Sequence, residues 1–333
     1  FLRLTRIFEK ELTYKFEYIY IIKQLLLPKL TLAVLKAWIQ AARPAAHGMI
    51  FIPLLAGQAL AFRIHGVFDW SWFFHLALYG ILYQIYVLYI NDYSDEELDR
   101  DNHTYWLSGG SRVIPQGKLS GQALWIGSWV ILGLLLVQAL YWGASLQRYG
   151  MTLLTIGAVG LGWAYSLPPL RFSCRGHGEI LQGVGCGALL PLTGFYIQVG
   201  SLESFPWLAL VPLFLIFYSG NIITALPDYQ SDLAGNKRSY PVRLGQRRSR
   251  EHILVLLICA FILISWVTPN LTKPFSLFAL AQGPSLLILL IVKRKGWLER
   301  GDIENTAECR KFVLWTILSQ GWLLVAWITS LFW

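Results

Sequence analysis

The sequence predicts an all-α integral membrane protein: about nine transmembrane helices, arranged as two pseudo-repeated four-helix halves plus one extra helix. Three observations carry that prediction. The 333 residues are 55% hydrophobic and 14% charged, with a mean hydropathy of +0.49, whereas soluble domains carry about 25% charged residues. Nine apolar runs are each long enough to cross about 30 Å of hydrocarbon. The basic residues then fall on one side of those crossings.

Residues 1–44 alternate charged and apolar groups, as in FLRLTRIFEKELTYKF and KLTLAVLKAWIQAARP. They read as an amphipathic interfacial segment or as a plain basic anchor. No cleavable signal peptide is expected there, and a chain that starts at Phe1 reads as trimmed or incomplete. Residues 45–333 read as one transmembrane domain. Pro44 marks the entry to the first span. The runs lie near 45–64, 70–91, 121–142, 149–167, 179–199, 206–227, 252–268, 274–292 and 311–333. Their lengths suit helices, which satisfy their own backbone where lipid offers no partner.

Of the 28 Lys and Arg, 25 lie in the N-terminal segment and in the loops after the second, fourth, sixth and eighth runs. The other side holds only Arg63, Arg148 and Lys273. By the positive-inside rule the N-terminus and the longer loops are cytoplasmic, in a bacterial or archaeal cytoplasmic membrane or an organelle membrane. The net charge of +9 then reports topology and contact with anionic lipid. No nucleic-acid partner is expected, because no basic, folded, water-exposed face is visible. Cys174, Cys186, Cys259 and Cys309 have no zinc spacing and read as packing residues.

The second run ends in NDYSDEELDR, Asn91–Arg100, and the sixth ends in PDYQSD. Both follow the second span of a group of four, and each precedes a basic loop containing Gly and Pro. Two facing halves would bring these ends together. At about 100° per residue, Asp92, Asp95 and Asp99 lie within about 60° of one another, and Asp228 and Asp232 within about 40°. Five converging carboxylates repel each other unless a cation joins them. Magnesium suits such oxygen ligands and commonly uses one or two carboxylates together with substrate phosphates. The pattern thus predicts a metal bridge to a phosphorylated ligand, with Asn91 as an amide ligand or orienting partner. The alternative is a pair of solvated helix ends. Glu96, Glu97 and Asp101 point off the shared face or lie beyond it and are expected to be solvated.

Arg112, Lys118, Arg171 and Lys237 lie in loops on the same side and can meet a diphosphate, Lys as a point charge and Arg as a planar fork. Positive-inside loops carry such residues in any case. The GGS of SGGSR could form an anion-binding nest or a plain turn. His47, His103, His177 and His252 have no metal partner at helical spacing. Gly183, Gly185 and Gly187 suit close helix packing.

NDYSDEELD resembles the NDxxDxxxD motif of the UbiA family of intramembrane prenyltransferases, and DYQSD resembles its second motif. YSLPPLR, Tyr165 to Arg171, resembles a segment these enzymes carry after the fourth helix. The likeness runs from about residue 36 to the end. WIQAARP, PLLAGQALA, RFSCRGHGE and GNKRSYPVRLG are similar to the MenA-type branch, which prenylates 1,4-dihydroxy-2-naphthoate in quinone synthesis. Two positions depart from that branch. Ala225 and Pro227 stand where it has Asn and Arg, and Asn221, one turn earlier, can substitute.

The resemblance implies transfer of a polyprenyl group from its diphosphate to an aromatic acceptor. It implies magnesium held by Asp92, Asp95, Asp99, Asp228 and Asp232. Asn91, Arg112, Lys118, Tyr165, Arg171 and Lys237 would surround the diphosphate. Arg43 would meet the acceptor carboxylate, unless it is a snorkelling anchor, and Asn221 would join it. Tyr165 is also the candidate aromatic face for a carbocation. A 4-hydroxybenzoate, homogentisate or chlorophyll-type acceptor stays open. So does a membrane terpene cyclase, which needs no acceptor. A secondary transporter would want its ion sites near the bilayer centre, not at helix ends.

Overall fold

The computed structural model describes residues 31–100, 110–268, 278, 280–298 and 307–333, and every regular element among them is helical. Residues 1–30 of the N-terminal segment, Asp101, His103 and Gly109 lie outside the described residues.

The helices are α1 (Leu32–Ala41), α2 (Gly48–His65), α3 (Trp70–Ser94), α4 (Glu96–Arg100), α5 (Gly121–Leu146), α6 (Gly150–Ser166), α7 (Phe172–Arg175), α8 (Gly178–Val199), α9 (Leu210–Ala225), α10 (Tyr229–Ala234), α11 (Tyr240–Leu244), α12 (Gln246–Val267), α13 (Gly283–Arg294) and α14 (Ala307–Leu331). Among the described residues seven helical stretches are long and apolar enough to cross a membrane, those containing α2, α3, α5, α8, α9, α12 and α14. The run near 149–167 forms the 17-residue α6. The run near 274–292 is covered in part by α13, with 274–277 and 279 outside the described residues.

Local chemistry sets the helix ends. Asp69 caps α3 by accepting from Ser71 N and Trp72 N, and Ser120 caps α5 by accepting from Ala123 N, which satisfies donors a helix start leaves free. Gly66, at φ 69, ends α2 in the left-handed region. Residues 185–189 of α8 form a π-turn just before Pro191. A proline ring collides with the carbonyl four residues back, here Gly187, and the wider turn makes room. It also turns Gly185 and Cys186 to the wall of a central cavity.

α2 packs most closely on α8, α3 on α5, and α9 on α8 and α12, while α14 packs on α13, α2 and α9. α2 and α8 belong to opposite halves, so their contact joins the halves. Gly57 and Gly194 permit it. A Cβ at Gly57 would run into the Pro191 carbonyl, and one at Gly194 into the Leu54 carbonyl. Nearby Gln198 donates to Gln58 Oε1 at 2.9 Å, which satisfies two amides at that interface. Gly57→Leu is expected to cost about 3 kcal/mol or more by overpacking, read as a fall in the thermal unfolding midpoint in detergent.

The outer surface is apolar. Leu153, Val137, Phe74 and Trp266 are each more than 60% exposed, which suits contact with lipid. α1 is half embedded. Ala37 and Ala41 are buried and Trp38 packs on Tyr89 at 5.3 Å, while Leu32, Leu35 and Ile39 are exposed on the other face. This is the described part of the amphipathic segment.

Candidate functional site

A cavity of about 310 Å³ lies among α2, α3, α6, α8 and α9, and α4 and α10 also contribute to its lining. Asn91, Asp95 and Asp99 line it from the first acidic stretch, and Asp228 and Asp232 from the second. The two motifs, 136 positions apart in the chain, thus meet in one space.

The first stretch continues nearly as a helix through the α3–α4 junction. Asp95 N–H donates to Asn91 O at 2.9 Å and Asp99 N–H to Asp95 O at 2.8 Å. Residues 91, 95 and 99 therefore form one stripe at i, i+4 and i+8. Asp92 lies about 100° from Asn91 but only about 20° from Asp99 on that wheel, and it is packing rather than helix phase that keeps it out of the cavity lining. It is 3% exposed, pairs with Arg43, and accepts from Ser111 N at 3.3 and 3.4 Å. The sequence grouping took Asp92, Asp95 and Asp99 as one face; the packing selects Asn91, Asp95 and Asp99. Arg43 does line the cavity, but its guanidinium is engaged by Asp92. It adopts φ 41 directly before Pro44, a backbone state that a residue before proline rarely takes.

In the second motif Pro227 breaks α9, and a 3₁₀ turn over Leu226–Asp228 leads into α10. Gly235 and Asn236, the latter at φ 54, reverse the chain, a conformation Asn tolerates. Lys237 then folds back, its N–H donating to Asp232 O at 2.8 Å. Its Nζ lies 3.3 Å from Asp95 Oδ2 and 3.7 Å from Asp232 Oδ1. One ammonium thus bridges the two motifs. Burial draws its pKa down, but Asp95 and Asp232 outweigh burial and hold it well above the ordinary lysine value.

Asn91 Nδ2 donates to Asp95 Oδ2 at 3.4 Å, and Arg171 Nη2 reaches Ser94 O and, at 3.5 Å, Asp95 Oδ1. Arg112 Nη1 donates to Asp99 O at 2.8 Å, so it braces the backbone of α4. Arg112 and Arg171 are not among the cavity-lining residues, nor is Lys118. Lys118 is exposed and donates to Gln40 Oε1 at 2.7 Å, which ties the loop to α1. Of the SGGSR stretch, Ser111 N–H donates to the Asp92 carboxylate. Glu97 is exposed as expected; Glu96 is half-buried, with its carboxylate against Gly121.

Tyr165 and Asn221 both line the cavity, and Asn221 Nδ2 donates to Tyr165 Oη at 3.2 Å and to Gln182 Oε1 at 2.7 Å. Glu179 and Gln182 line it as well, and neither emerged from the sequence reading. The available signal was a Glu and a Gln one turn apart at the start of an apolar span. Of the glycines, Gly183 and Gly187 meet Phe214 of α9, whereas Gly185 faces the cavity. His47 bonds Ala42 O at 2.9 Å and stacks on Phe51.

Among the described residues no three Asp, Glu, His or Cys groups are gathered closely enough to hold a metal ion as they stand. The donor set still fits a hard cation. It is all oxygen, from Asn91, Asp95, Asp99, Asp228 and Asp232, and it carries excess negative charge. Burial and the carboxylates of Asp95 and Asp92 push the Asp99 carboxyl up to about 7, against the opposing pull of Arg43 and Lys237. A magnesium ion, with its preference for carboxylate oxygen and retained water, would relieve that crowding.

Residues 50–318 match the sequence model of the UbiA prenyltransferase family. A 2-carboxy-1,4-naphthoquinone phytyltransferase of Synechocystis is 26% identical over 243 residues, covering 72% of this chain and 76% of that protein. A 1,4-dihydroxy-2-naphthoate octaprenyltransferase of Mycobacterium leprae is 27% identical over 232 residues, covering 68% of this chain and 75% of that one. In fold, the chain is similar to a UbiA homolog from Archaeoglobus fulgidus solved with DMAPP and Mg2+. The TM-score is 0.64 at 20% identity, over 87% of this chain and 98% of that one.

Proposed function

The chain belongs to the UbiA prenyltransferase family and is a prenyltransferase, and we propose that it moves a polyprenyl group from its diphosphate to an aromatic acceptor of the 1,4-dihydroxy-2-naphthoate kind. On this reading residues 45–333 are the enzyme domain, the site opens to the cytoplasm, and the reaction needs magnesium. The observation that carries the reading is the bridge of Lys237 between Asp95 and Asp232 inside one cavity. Such an arrangement of both charges suits a diphosphate together with its cation. The naphthoate acceptor is supported by the names of the similar proteins.

The residues divide the work by position. Asn91, Asp95, Asp99, Asp228 and Asp232 would hold the cation, and a bound magnesium supplies Lewis-acid stabilisation of the departing diphosphate. Lys237 adds a fixed positive charge where negative charge develops, which costs no reorganisation during the reaction. Arg171 and Asn91 keep the Asp95 carboxylate oriented. Asp92 acts one step removed, holding Arg43 and the backbone N–H of Ser111. Ile50, Tyr83, Val87, Leu88 and Leu161 give the cavity an apolar stretch for the first isoprene units. That stretch also keeps water away from a forming allylic cation.

The test is diphosphate release by the purified protein in detergent, with magnesium, geranylgeranyl diphosphate, and 1,4-dihydroxy-2-naphthoate present or absent. The expected result is acceptor-dependent release and a prenylated naphthoate by mass spectrometry. EDTA is expected to lower the rate by at least about a hundredfold, since the metal provides several kcal/mol of charge stabilisation. Release without acceptor, giving a hydrocarbon or an alcohol, would replace this reading with a cyclase.

A further inference from the structure

One carboxylate in the cavity takes no part in the chemistry above. Glu179 is 3% exposed and lines the cavity from the first turn of α8. Among the described residues no cation pairs with it. Its Oε1 accepts a hydrogen bond from Tyr240 N at 2.9 Å. A buried ion costs several kcal/mol, and one backbone N–H with a helix N-terminus offsets only part of that. An ionisable group held inside a membrane protein points to use.

Its surroundings define the use. Gln182 lies one turn further along α8, and Asn221 links Gln182 to Tyr165. Glu179 also acts electrostatically on Tyr165, Tyr218 and Tyr240. Gln182, Asn221 and Tyr165 are neutral hydrogen-bonding groups, while Lys237 and Asp95 also act on Tyr165, and Arg243 on Tyr218 and Tyr240. Amides with a phenol suit an aromatic ring that carries hydroxyls.

We propose that Glu179 is the general base that takes the proton of the acceptor's ring hydroxyl, within a subsite completed by Gln182, Asn221 and Tyr165. The inference rests on the prenyl-transfer reading above. The hydroxyl proton passes to a Glu179 carboxylate oxygen, and the freed electron pair enriches the ring. A ring carbon bonds to C1 of the prenyl group as the C1–O bond breaks, its electron pair leaving with the diphosphate. The alkylated carbon then sheds its hydrogen as a proton to water, or its carboxylate as CO2. Glu179 returns the first proton to the oxygen.

Glu179→Gln tests this, because the amide oxygen can still accept from Tyr240 N. Removing a positioned base costs about 10²- to 10⁴-fold, so kcat/KM for the naphthoate is expected to fall at least about a hundredfold. Binding of geranylgeranyl diphosphate with magnesium, measured by calorimetry, should stay within about twofold of wild type. In Glu179→Ala, added formate should restore part of the lost rate, which a purely structural role would not permit. The proposal is overturned if Glu179→Gln keeps more than half of the wild-type kcat/KM, if donor binding falls in parallel with rate, or if formate restores nothing. Failure of the wild-type protein to prenylate any aromatic acceptor would instead remove the functional reading on which it rests.

Discussion

Asp95→Asn is expected to lower prenyl transfer by about a thousandfold with saturating donor and acceptor. Asp95 is the point where the site's parts meet: Asn91, Arg171 and Lys237 all reach its carboxylate, at 3.3 to 3.5 Å. The amide preserves size and an acceptor oxygen but removes the charge. Lys237 then loses one of its two counter-ions, and a bound cation loses a ligand from the first motif. Loss of one electrostatic element aimed at the transition state costs about 10²- to 10³-fold, and Asp95 supports two. Glu97→Gln, on the exposed side of α4, should stay within about twofold and serves as the control. Asp92→Asn should cost less than Asp95→Asn, because Asp92 acts through Arg43 and Ser111. Equal losses at 92 and 95 would mean that the helix turns Asp92 towards the ligand when the site is filled.

Lys237→Met should show the same site from its positive side. Without the ammonium, the Asp95 and Asp232 carboxylates face each other with no bridging cation. Breaking a buried pair by removing one partner costs about 3–5 kcal/mol, so the metal-free variant is expected to unfold at a clearly lower temperature than wild type. A magnesium ion that binds only the folded form would return much of that loss. The variant's midpoint should therefore rise with magnesium more steeply than the wild-type midpoint does. Activity should stay low, about a hundredfold below wild type, because the fixed charge on the diphosphate is not replaced. A variant whose stability ignores magnesium would show that Lys237 neutralises something other than a cation site.

The apolar runs announced the helices because a span in lipid must be both long and uncharged, and few other structures share that signature. The meeting of the two acidic motifs was legible from their matching places in two groups of four spans. Helix rotation was not. Asp92 and Asn91 are neighbours in sequence, and which of them faces the cavity depends on how α3 packs against α1 and the backbone at Ser111. Lys118 looked like a diphosphate ligand by loop and charge alone; Gln40 of α1, which holds it, lies 78 positions away. Glu179 alone carries no signal in the sequence, because the first turn of a span is an ordinary place for a carboxylate. Its burial arises only when α9 and α11 close over it. Pro227 departs from the related branch, yet it produces the 3₁₀ turn that sets Asp228 and Asp232 on the cavity wall.

We propose that both acidic motifs build a single cation-dependent diphosphate site. The most direct test of that proposal is the affinity of geranylgeranyl diphosphate for wild type, Asp95→Asn and Asp232→Asn, titrated with and without magnesium. The expected result is magnesium-dependent binding in the wild type that is lost, by at least about a hundredfold, when either motif is altered. Unchanged affinity in either variant, or wild-type binding that ignores magnesium, would contradict it.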